Sequence, residues 1–231
     1  MPAIGPRKVV TRQLALSLEH EASFARDDFL EGPSNAAALG FITRWPDWPS
    51  LNLLLVGPQG SGKTHLASIW AIDAGARVVS ARLLDDESVP TALATGALVI
   101  EDLVPGEFDE RALFHVLNLA RAERAYVLLT ARSAPTGWTL DVPDLTSRLR
   151  EIAAVTLTVP DDALLRAVLV KLFADRQLAV DENLIGYLTP RIERSFAGAQ
   201  AIVTDLDREA LRQQRPVTRA LASELLRDSV D

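Results

Sequence analysis

The stretch LLLVGPQGSGKTHL, Leu53 to Leu66, decides the fold. Its opening run, Leu53, Leu54, Leu55 and Val56, is apolar at every position, the pattern of a strand buried on both faces. Glycines at 57, 60 and 62 follow, then Lys63, Thr64 and an apolar-periodic segment that predicts a helix to about Ala74. The spacing satisfies G-x-x-x-x-G-K-[ST], a phosphate-binding loop. Each residue type has a reason. The glycines let the backbone bend so that successive N–H groups converge on a polyphosphate, and the helix beginning near Gly62 adds its positive end. Lys63 supplies a full charge to the outer phosphates, and the Thr64 hydroxyl is a ligand for Mg²⁺. A glycine-rich turn that merely carries a lysine would not bring strand, loop and helix into this register. Pro58, Gln59, Gly60, Ser61, Gly62, Lys63, Thr64 and His65 are therefore the candidate phosphate-binding residues.

Composition narrows the class. A chain of 231 residues suits one large domain or two small ones. With no cysteine, disulfides, thiolate metal sites and a cysteine nucleophile are excluded. His20, His65 and His115 are scattered, which argues against a zinc cluster. The formal net charge of −7 argues against avid, sequence-independent DNA binding, which depends on neutralising phosphates, although a local basic patch stays open. No apolar run approaches the ~18 residues that span a bilayer, and the N-terminus has no signal-peptide core; the expectation is a cytoplasmic protein without membrane contact.

Around the loop the chain reads as alternating strands and helices. Residues 1–20 form an expected flexible arm, and within it Gln13, Leu14, Leu16 and Leu18 alternate as on one face of an extended segment. That alternation fits an edge strand or a tethered docking peptide. Ser34 or Asn35 is placed to cap a helix through the following alanines, and Trp45 and Trp48 are expected packing anchors. Further strands are expected at 77–80, 97–102, 126–130 and 155–159, with helices at 109–124 and 144–150. The strand 97–102 ends in Glu101 and Asp102, where a phosphate-loop protein places the acids that hold Mg²⁺ and polarise water. Thr130 stands at a strand's C-terminal end, the ligand-binding edge of an open α/β sheet. Beyond Pro160 everything reads as helix, at about 161–176, 181–189, 193–212 and 216–229. The fold class is thus α/β: a five-stranded parallel sheet over residues 21–159, followed by a small all-α lid over 160–231.

The order of these parts resembles the AAA+ ATPases, and within them the DnaA/Hda family, over nearly the whole chain. Asp28-Phe29-Leu30-Glu31-Gly32-Pro33-Ser34-Asn35 is similar to the segment that lies against adenine, so the resemblance adds Ser34 and Asn35 to the nucleotide site. Phe114-His115 with Asn118 resembles the helix before the sensor strand. Leu145-Thr146-Ser147-Arg148-Leu149 resembles box VII, which makes Arg148 the arginine that reaches a neighbour's nucleotide. Gln13 to Leu18 resembles the sliding-clamp-binding motif of Hda-type regulators and turns that segment toward the docking-peptide reading.

The resemblance implies ADP or ATP with Mg²⁺ as cofactors, and the clamp and DnaA as partners. It also implies replisome or nucleoid association and leaves a homodimer open. The initiator's helix-turn-helix domain is not seen before Asp231, so the resemblance points to the regulators that make DnaA hydrolyse its ATP, without sequence-specific DNA binding of their own. The chain also departs from the pattern. Glu101 stands where Asp is usual. Arg132 replaces the sensor 1 acid, leaving Thr130 as the nearby polar group. Ala197 replaces the sensor 2 arginine, with Arg194 one turn earlier as the candidate substitute. These changes keep nucleotide binding and count against fast turnover. An autonomous ATPase of the helicase-loader kind, acting on DNA or a helicase, is the alternative; an adaptor without nucleotide sits poorly with intact Lys63 and Thr64.

Overall fold

The computed structural model describes residues 25–228. The arm with Gln13, Leu14, Leu16 and Leu18 lies outside these residues. Five strands, β1 (Asn52–Val56), β2 (Arg77–Ser80), β3 (Ala97–Leu103), β4 (Tyr126–Ala131) and β5 (Ala153–Thr156), form one sheet. Their spatial order is β2-β3-β4-β1-β5, and every pairing is parallel. The apolar run of β1 is explained by its place between β4 and β5. Leu53 and Leu55 pack with helices α1 (Ala36–Thr43) and α2 (Lys63–Ala74) on one face. Leu54 and Val56 join a second core that also holds residues of α3 (Val89–Ala92), α4 (Glu110–Glu123) and α5 (Pro143–Glu151). Trp48 stacks on the buried Trp70 with centroids 5.0 Å apart, and Trp45 meets Trp70 edge-on at 6.4 Å. Both tryptophans are packing anchors.

The C-terminal part is helical: α6 (Asp162–Asp175), α7 (Glu182–Leu188), α8 (Phe196–Gln213) and α9 (Arg219–Asp228). Each of the first three starts on a side-chain cap, with Asp161, Asp181 and Ser195 accepting from the amides of Leu164, Leu184 and Gly198. A third core cluster, between Leu165 and Ala222, lies wholly within this helical part. Among the described residues, no helix is long and apolar enough to cross a membrane.

Two local expectations are corrected. Neither Ser34 nor Asn35 caps α1 with its side chain. The Asn35 amide instead accepts from Gly32 N at 2.9 Å and donates to Leu30 O at 2.9 Å, closing the turn ahead of the helix. The last strand begins at Ala153, earlier than its apolar pattern suggests, because backbone pairing to β1 starts at Leu53 opposite Ala153. Phe173, fully buried, sits in the helical core. Phe173→Ala is expected to cost about 3–5 kcal/mol, read as a lowered urea midpoint for the helical part.

Candidate phosphate-binding site

The loop after β1 is fixed at its first residue. Gly57 N donates to Ala131 O at the end of β4, 3.1 Å away. A Cβ on Gly57 would lie 2.7 Å from Leu157 O and 2.8 Å from Ser61 Oγ, so no side chain fits. Gly62 has φ +95° and is the N-cap of α2. Lacking a side chain, it cannot fold back onto the first amides of that helix, which are left for an anion. Lys63 is 7% exposed, and its Nζ donates to Gly57 O and Pro58 O, both at 2.8 Å. Burial lowers its pKa; Asp102 and Glu101 oppose that effect, and the nearby Arg132 adds to it. A polyphosphate would replace two neutral carbonyl partners with anionic ones, and such charge-assisted bonds are roughly twice as strong.

The two acids are placed by an irregularity in β3. Its register against β4 slips between Ile100 and Leu103, and Asp102 takes a left-handed φ of 56°. The Asp102 amide donates to Thr130 Oγ1 at 3.0 Å, so the buried Thr130 hydroxyl holds the bend. Asp102 and Thr64 both line the cavity, while Glu101 Oε1 is buried without a hydrogen-bond partner. Of the two acids only Asp102 lines the cavity with Thr64, and that carboxylate and hydroxyl fit a hydrated Mg²⁺, while Glu101 does not line it. Among the described residues no group of three or more metal-ligating side chains exists. Phosphate and water would therefore complete the shell, which is how Mg²⁺ is usually held in phosphate-transfer sites. When bound, the ion neutralises phosphate charge.

The cavity, about 570 Å³, lies between the loop, residues 28–30 and helices α6 and α8. That volume is ample for a nucleotide-sized ligand. Phe29, Leu30, Val168 and Leu172 line its apolar end, where a planar base would pack. His65 meets Phe29 edge-on at 5.1 Å, with Nε2 3.1 Å from Ala25 O. Burial holds its pKa below the ordinary value, against the opposing Ala25 contact. Lys171 on α6 pairs with Asp28 and Asp175 at 2.7 Å each, tying the helical part to the segment before α1. Its partial burial works against the charge, but these pairs outweigh it and raise its pKa. At the other end Phe196 N donates to Gly60 O at 2.8 Å.

Of the sequence-read residues, Gln59, Gly60, Gly62, Lys63, Thr64, His65 and Asp102 line this cavity together. Ser34, Asn35, Pro58, Ser61, Glu101, Thr130 and Arg194 do not line it. Asn35 shapes the turn that presents Phe29 and Leu30. Arg194 pairs outward with Asp162 at 2.7 Å, because Ser195 begins α8 at the loop and leaves the residue before it outside. Ala197 lies at the loop instead, 3.2 Å from where a Gly60 Cβ would be. Arg132, Lys171 and Arg176 also line the cavity. The sequence reading did not place Lys171 or Arg176 there, and neither carries a motif. Arg148 lies elsewhere, in a cleft of about 320 Å³ with Ser50, Asn52, Arg121 and Glu151. That cleft is at the start of β1, the opposite end from the loop.

The fold is that of the AAA+ phosphate-loop NTPases. Domain III of the Thermotoga maritima replication initiation protein DnaA superposes with a TM-score of 0.72 at 18% identity, over 89% of this chain and 96% of that one. AMPPCP-bound DnaA from Aquifex aeolicus gives 0.65 at 18% identity, over 80% and 65%. The Thermotoga maritima RuvB branch-migration motor gives 0.67 at 16% identity, over 87% and 70%. In sequence, the chain is similar to an insertion sequence IS21 putative ATP-binding protein of Pseudomonas aeruginosa. The two are 30% identical over 123 residues, 44% of each chain, so less than half of that relative's length is matched. No family model matches the chain.

The geometry rests the phosphate end on Lys63. Lys63→Ala is expected to weaken ADP binding by roughly 100-fold or more, since two charge-assisted contacts are lost. Titration calorimetry checks this, and unchanged affinity would refute the site.

Proposed function

We propose that this chain is a nucleotide-binding regulator of replication initiation: it holds ADP or ATP with Mg²⁺ and offers Arg148 to the nucleotide of DnaA. The observation that carries this reading is the position of Arg148. It stands at the end of β1 opposite Lys63, and no hydrogen bond or ion pair engages it among the described residues. A guanidinium there cannot serve its own loop and is free to serve a neighbour's. An arginine suits that task because its planar, permanently charged fork can bridge phosphate oxygens as charge develops. The chain's own site, with Ala197 at the loop, is suited to holding nucleotide more than to turning it over. In this reading Gln13, Leu14, Leu16 and Leu18 dock on the polymerase sliding clamp, which places the chain near the replisome, and the clamp rather than a basic surface brings it to DNA.

A second reading has its own observation. The IS21 similarity and the RuvB superposition favour an autonomous AAA+ ATPase that acts on DNA or a helicase through its own turnover.

A DnaA ATP-hydrolysis assay, with this chain, clamp and DNA each left out in turn, separates the two. The regulator reading predicts slow turnover by the chain alone and stimulation of DnaA that needs the clamp. Arg148→Ala and Arg148→Lys should keep nucleotide binding and lose stimulation, by about a thousandfold or more if the whole effect of an arginine finger in trans is lost. Fast intrinsic turnover, or full stimulation by Arg148→Ala, would favour the autonomous ATPase.

A further inference from the structure

Tyr187, near the end of α7, has two guanidiniums against its ring. The guanidinium carbon of Arg191 lies 4.1 Å from the ring centroid and that of Arg219 lies 5.1 Å from it. Arg191 follows α7 and Arg219 is the first residue of α9, so the core shared by these helices brings the two charges together. Both arginines are exposed, and neither has a carboxylate partner among the described residues. The acids on the same two helices are already engaged: Glu182 pairs with Arg166 at 3.1 Å and Glu224 with Arg215 at 3.2 Å. Glu193, two residues beyond Arg191, pairs with neither.

The arrangement runs against helix electrostatics. The start of a helix is its positive end, where a cation is disfavoured and an acid favoured. Yet α9 opens on Arg219 and has no acidic residue in its first turn. Two guanidiniums and a helix start therefore sum to a local positive field on a chain whose net charge is −7. The ring attracts each cation and restrains its fork, while leaving the in-plane N–H donors unspent. Arg191 uses one donor on Tyr187 O at 3.0 Å, and Arg219 uses none among the described residues. An anion would relieve the repulsion between the two cations and satisfy the donors.

Arginine forks and helix starts are groups that contact the phosphates of DNA. Single strands add stacking on open aromatic rings, and the ring here is engaged by two guanidiniums. We propose that Arg191 and Arg219 form a contact for the phosphate backbone of duplex DNA, separate from the main cavity, which neither residue lines. The contact reads charge and not sequence. Two charges are too few to bring the chain to DNA unaided; they add a backbone contact to a chain already held beside it.

Fluorescence anisotropy with a labelled duplex, from about 50 to 200 mM salt, tests this. Arg191→Ala and Arg219→Ala should each weaken binding about threefold or more at the low-salt end, and each should make the salt slope shallower by about one. Arg208→Ala removes an exposed charge elsewhere on the helical part, one paired with Asp205 at 3.3 Å, and should change neither quantity. All three substitutions are at exposed positions and should keep the wild-type melting temperature. A wild type that does not bind the duplex at low salt overturns the proposal. So do Arg191→Ala and Arg219→Ala variants that bind as the wild type does, or an equal loss in Arg208→Ala. Tighter binding to a single strand, or displacement by polyglutamate as effective as that by unlabelled duplex at equal charge, overturns duplex DNA as the ligand.

Discussion

One backbone hydrogen bond, Phe196 N to Gly60 O at 2.8 Å, joins the helical part to the phosphate loop. It depends on Gly60 staying a glycine. Its φ is +71°, and a Cβ there would lie 2.7 Å from Ser195 Cβ. The same close approach puts Phe196 beside Gly62, 3.2 Å from where that residue's Cβ would stand. The residues whose freedom shapes the loop around phosphates therefore also make room for the first turn of α8. Lys171 makes the second join, from α6 to Asp28. Both of its partners are partly exposed, so this pair contributes position more than stability. Between the two joins lies the cavity. A nucleotide bound there would touch both parts.

The core is organised to hold one end of β1 still. Its residues alternate between two apolar layers, and its last carbonyl, Val56 O, accepts Leu157 N at 2.7 Å beyond the end of β5. The next residue is pinned to β4 through Ala131. A loop anchored on both neighbouring strands loses little freedom when it closes on a ligand, which is the physical meaning of preorganisation here.

Much of this was legible in the sequence. The strand, loop and opening helix of the phosphate site stand within fourteen consecutive residues, where local chemistry dictates conformation. The five strands and the change to helix after Pro160 follow from apolar patterning. What escaped depends on contacts between distant segments. Asn35 has the composition of a helix cap, but its amide satisfies Gly32 and Leu30 within the turn. Arg194 is the nearest arginine to the missing sensor position, yet the seating of Ser195 and Phe196 on the loop directs it to Asp162. Arg132, read first as a lost acid, lines the site as a cation. Lys171 and Arg176 reach the cavity only because α6 packs over residues 28–30, and no spacing rule announces that.

In the proposed reading a nucleotide is held by the loop and the helical part together. Amide hydrogen exchange with and without AMPPCP tests it most directly. The account predicts slower exchange at residues 57–66 and, in the same experiment, in α6 and the first turns of α8. Protection confined to the loop, with α6 and α8 unchanged, would contradict it.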